Sequence, residues 1–117
     1  MSERRIEQAG EEIEAPEIRD MLRACELGVA NLRGLGAEAL DLLRRLDRIS
    51  VALDVLRDRG MDVRPEQARL ESIQDMLTAK TKVLLKELRA VGGLAHARAE
   101  ENPLPPEDHW WWYLDLT

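Results

Sequence analysis

From Ile18 to Ala95 the apolar residues of this chain recur in steps of three and four, which commits it to helix and to packing of helix against helix. Ile18, Leu22, Cys25, Val29 and Leu32 form one stripe, and Ala39, Leu42, Leu46, Ile49, Leu53 and Leu56 a second. A third runs through Leu70, Ile73, Leu77, Thr81, Leu84, Leu88, Val91 and Ala95. The scarcity of β-branched and aromatic residues, with 34% charged residues, agrees with that assignment.

Glycine and proline punctuate the stripes. Gly34 and Gly36 interrupt the first arm, each weakening helix by about 1 kcal/mol relative to Ala. Gly60 suits the residue after a helix end, and a new helix starts with Asp62 or Arg64 as cap and Pro65 in its first turn. Gly92 and Gly93 make a second weak point, and Asn102, Pro103, Pro105 and Pro106 end the helix. A short loop near residue 62 predicts antiparallel arms in which residue i faces about residue 124 − i. The expected fold is all-α, a long antiparallel helical hairpin or a three-helix bundle in which residues 16–33 fold back, with an extended aromatic C-terminal tail. The corresponding divisions are an acidic, flexible N-terminus (1–15), the helical region (16–99, with breaks near 34–36, 60–64 and 92–93) and a proline-rich, acidic and aromatic tail (100–117).

The tail holds every tryptophan and tyrosine of the chain, and one of its two histidines, His109. Trp110, Trp111, Trp112 and Tyr113 are the only Trp, Tyr or Phe of the 117 residues. Left exposed they would be an aggregation hazard, so something must cover them. They either fold back on their own hairpin, with Gly92 and Gly93 as a smooth platform for an indole, or dock on another chain. Exchange within a homodimer satisfies both readings. As extended chain the tail would point Trp110, Trp112, Leu114 and Leu116 one way and Trp111, Tyr113 and Asp115 the other. The expected partner-binding set is Trp110, Trp111, Trp112, Tyr113, Leu114 and Leu116.

Charge narrows the partners. Residues 1–20 carry seven acids against three arginines, and residues 100–117 carry five acids and no Lys or Arg. With a net charge of −6, phosphate backbones are disfavoured even though Lys82, Lys86 and Arg89, and Arg44 with Arg48, line helix faces. No apolar run reaches the roughly 18 residues of a membrane span, and the N-terminus has no signal-peptide core. A lone Cys25 permits no internal disulfide, so the cytoplasm is the expected compartment. Neither a metal nor a cofactor is expected, because His96 and His109 have no ligand-spaced companions and no phosphate-binding glycine loop is present.

One pair of residues suggests chemistry. In "RAVGGLAH", Arg89 and His96 stand seven apart, a spacing that resembles that of HEPN-type ribonucleases, which are small, helical and usually dimeric. The resemblance implies that Arg89 would steady a phosphate while His96 activates a ribose hydroxyl, on one face of a continuous helix. The segment departs from that pattern in lacking a polar residue after Arg89 and in carrying Gly92–Gly93 inside it. The acids Glu11, Glu12, Glu14, Glu17 and Asp20 share composition with the carboxylate sets of helical Mg-dependent pyrophosphatases, but Pro16 interrupts the run. "LLRRLDRISVALDVL" has the general look of helical chorismate mutases, yet Arg44, Arg45, Arg48, Lys82 and Lys86 fall off the apolar stripes that would line such a pocket. The expectation is therefore a non-catalytic helical interaction protein (adaptor, assembly subunit or regulatory partner), with the ribonuclease or a nucleic-acid-binding subunit as alternative.

Overall fold

The structure, a computed structural model, describes residues 15–116. The segment read from sequence as an acidic N-terminus lies outside the described residues except for Ala15, as does Thr117. The described chain is all-helical: α1 (Ala15–Ala30), α2 (Glu38–Asp58), α3 (Arg64–Ala79), α4 (Thr81–Glu87) and α5 (Leu94–Ala99), with 3-10 turns at Leu88–Val91, Trp110–Trp112 and Leu114–Leu116.

The first three helices form a bundle. α1 folds back along α2 and also packs on α3, so residues 16–33 supply a third helix rather than an extension of the hairpin. Its face Ile18, Leu22, Cys25, Val29 is fully buried, together with Leu42, Leu46, Ile49 and Leu53 of α2 and Leu70, Ile73 and Leu77 of α3. Gly28 of α1 faces Leu42 of α2 with room for a methyl group, which would meet it at the ordinary contact distance of 3.5 Å. A bidentate ion pair from Arg69 to Glu26, with N–O distances of 2.7 and 2.9 Å, ties α3 to α1.

The expected register holds along the second arm. Arg57 donates to Gln67 at 3.2 Å, and the backbone N–H of Gly36 donates to the Glu87 carboxylate at 2.7 Å. Glu87 thereby satisfies loop N–H groups freed by the glycine break, and hydrogen bonds from Gly34 and Gly36 hold its carboxyl below the usual range.

Two helix ends close in the same way. The Gly60 N–H bonds to Arg57 O at 2.9 Å and Met61 N–H to Leu56 O at 3.1 Å, the paired bonds of a Schellman cap, with Gly60 at φ +84°. Gly92 and Gly93 repeat the arrangement with Arg89 O at 3.1 Å and Leu88 O at 2.9 Å, and their φ values are +92° and +96°. One break was not legible in the sequence. At Lys80 the arm turns between α3 and α4, and the Lys80 ammonium donates to Val29 O at 2.8 Å, capping the end of α1.

Candidate functional site

The three tryptophans occupy one turn of 3-10 helix between His109 and Tyr113, so the tail is not the extended, alternating strand expected from its prolines. Compact turns let adjacent rings face one body. Trp111 and Trp112 are only 1% and 0% exposed, whereas Trp110 and Tyr113 are half-buried at the rim. Leu114 is buried and Leu116 exposed. The side chains expected to bind a partner therefore divide: two indoles and Leu114 enter this chain's own core, and Trp110, Tyr113 and Leu116 retain surface.

What receives the indoles is a carboxylate. Asp47, one turn after Leu43 on α2, accepts from Trp111 Nε1 at 2.9 Å through Oδ1, and from Trp112 Nε1 through both oxygens at 2.9 Å. His109 Nδ1 lies 2.9 Å from the same Oδ1. The His109 ring stacks on Trp111 at a centroid distance of 4.8 Å, and Trp110 meets Trp111 edge-on at 5.6 Å. Three ring nitrogens thus converge on one carboxyl group whose side chain keeps 25% of its surface. Burial pushes the Asp47 pKa up, and the bonds from Trp112, Trp111 and His109 offset that only in part.

Gly92 and Gly93 are not the platform for these rings. A Cβ on Gly92 would meet His96, and one on Gly93 would meet nothing within 4 Å. Glycines suggest a platform because they lack bulk. An indole has one N–H, and in a buried setting the position that can accept it decides where the ring goes.

A second set of contacts braces the tail against α5. Arg98 donates to Trp112 O at 2.8 Å and to the Asp115 carboxylate at 2.7 and 3.3 Å, and its guanidinium lies 5.0 Å from the Tyr113 ring centroid. The Tyr113 hydroxyl donates to Pro105 O at 2.6 Å, closing the proline-rich loop on itself. Neither Asp47 nor Arg98 stands out in the sequence. Asp47 is one of several acids on α2, and its place beside the buried Leu46 is matched by Asp41 beside Leu42 and Asp54 beside Leu53.

The pair Arg89 and His96 is separated by the glycine cap. Arg89 belongs to the 3-10 turn Leu88–Val91 and His96 to α5, so the shared face of a continuous helix does not exist. His96 packs over Gly92 and lies 3.9 Å from Glu100, and no hydrogen bond or ion pair joins it to Arg89. Clefts of about 340 and 330 Å³ are among those on the described surface, one lined by Ala24, Gly28, Leu42 and Arg45 and the other by Asn31, Arg33, Lys80 and Val83. Neither includes Arg89 or His96. Among the described residues no group of three or more His, Cys, Asp or Glu side chains is placed to hold a metal ion, and no helix is long and apolar enough to cross a membrane. Comparison with family models, with curated proteins and with solved structures finds no match to this chain.

Proposed function

We propose that this chain is a non-catalytic helical interaction protein of the cytoplasm, an adaptor, assembly subunit or regulatory partner, that works by docking its aromatic tail into a carboxylate-floored groove. The observation that supports this reading is the way the rings are held. A buried tryptophan usually finds a partner for its N–H, but here Trp111, Trp112 and His109 share a single acceptor, Asp47. A short segment with rigid anchors at its centre and a polar rim has the make-up of a docking ligand. The exposed residues of the bundle surface then serve as scaffold.

The test separates a ligand-like tail from plain core. A labelled peptide of residues 103–117 is titrated into the chain truncated after Asn102, with circular dichroism recorded alongside. Saturable binding to a folded, truncated chain, abolished by Asp47→Ala, is the expected result. A truncated chain that loses its helices, or a folded one that ignores the peptide, would overturn the proposal.

A further inference from the structure

Resting on that reading, we infer that the tail's partner is a second copy of this chain, exchanged as a module of residues 94–116 about a hinge at Gly92–Gly93. Three observations carry this.

The first is that the segment holds itself together. Arg98 on α5 grips Asp115 and the Trp112 carbonyl, and Tyr113 grips Pro105, so α5, the proline loop and the rings are cross-linked to one another. A unit braced in this way keeps its shape when it leaves the body. Were the tail tied only to the bundle, release would scramble it.

The second is the hinge. Gly92 and Gly93 both have φ in the left-handed region, where glycine alone is unstrained, and glycine reaches the extended region just as readily. Opening the chain there breaks two backbone bonds, from Gly92 to Arg89 and from Gly93 to Leu88, and leaves α4 and the braced module intact. Nothing lies within 4 Å of the Cβ direction of Gly93, and the side chain packed over Gly92, His96, belongs to the module itself.

The third is complementarity between module and body. The module carries five acids against one arginine, and its described polar seams to the bundle run from Glu101 to Arg44 at 2.8 Å and from the three ring nitrogens to Asp47. Every one of those partners is on α2, a single rigid helix, so a second copy presents them in the same arrangement. An exchanged pair reproduces the closed interface without a new contact, and the interface is reciprocal: the module of each copy seats on Asp47 of the other.

The experiment uses the full chain. It is refolded at high concentration, and its mass is followed by light scattering against the 13.4 kDa of the monomer. An isotope-filtered NMR experiment on mixed labelled and unlabelled chains then asks whether the Trp112 indole proton contacts α2 of the other copy. Removal of one hinge glycine (Gly93 deleted) hinders closure within one chain, and insertion of Gly-Ser-Gly-Ser between Gly92 and Gly93 eases it. The expected result is a dimer with indole-to-α2 contacts between copies, its fraction raised several-fold by the deletion and lowered by the insertion. A dimer whose indole contacts are all within one copy would overturn the exchange. So would a chain that stays monomeric after refolding and with the hinge shortened. If the peptide of residues 103–117 still docks in either case, docking by the tail stands and only the second copy as partner falls. If the shortened hinge fails to fold, the wild-type and insertion chains alone decide, since exchange requires a dimer in the former that the latter reduces.

Discussion

The indole N–H of Trp112 is bonded to both oxygens of Asp47, 65 residues earlier in the chain, at 2.9 Å each. Trp111 and His109 reach the same carboxyl group, so a single acid on α2 orients three rings of the tail.

Replacing Asp47 with Ala leaves two indole N–H groups and an imidazole nitrogen facing a small void. We expect a loss of about 3 kcal/mol, the cost of stranding buried donors, measured by urea unfolding with Trp emission as probe. Asp47→Asn keeps one acceptor oxygen and should lose less. Equal stability of wild type and Asp47→Ala would mean that the rings are held by shape alone.

The same group sets a pH dependence. Burial holds the folded-state pKa of Asp47 above its ordinary value, so the folded chain binds this proton more tightly than the unfolded chain does. The penalty for ionising it is present at neutral pH and is relieved as pH falls through the folded pKa toward the unfolded value of about 3.9. Glu26 and Glu87 act oppositely, because the Arg69 bond and the loop N–H groups hold them low and their contributions are lost as pH falls through their folded pKa values. Asp62, held at about 2 by Arg64, behaves likewise. Wild type should therefore gain stability relative to Asp47→Asn between pH 7 and about 4, and a level difference would contradict the burial argument.

Cys25 is fully buried on α1, and that burial pushes its thiol up to about 11 against a partial offset from the charge of Arg45. At pH 8 a thiol reagent should label the folded chain only as fast as it opens, and urea should accelerate labelling by orders of magnitude. Labelling at the rate of a free thiol would show α1 to be loosely docked.

Two glycine substitutions should have opposite signs. Gly28→Ala adds a methyl at ordinary contact distance, 3.5 Å from Leu42, inside a helix, and should stabilise by about 0.5–1 kcal/mol. Gly92→Ala forces φ near +92° on a side chain and places its Cβ 2.8 Å from His96 Cδ2, so it should cost about 1–2 kcal/mol. Thermal melts of the two variants check both at once.

Past Gly93 the third stripe fails, because α5 buries Leu94 and Ala97 and exposes Ala95. Legible in the sequence are the helical class, the buried stripes as far as Leu88, the glycine ends at Gly60 and Gly92, and the antiparallel register that sets Gly36 beside Glu87 and Arg57 beside Gln67. These follow from periodicity and backbone conformation, which are local. The sequence also marked the ring cluster as something that had to be covered. The cover itself, and the turn at Lys80 that caps α1, were decided only by the tertiary structure. A carboxylate becomes an acceptor for indoles only when bundle packing puts it within 3 Å of them, and nothing in the chain around Asp47 distinguishes it from Asp41 or Asp54. Arg89 and His96 illustrate the converse. Their spacing implies a shared face, and two glycines in the left-handed region remove it.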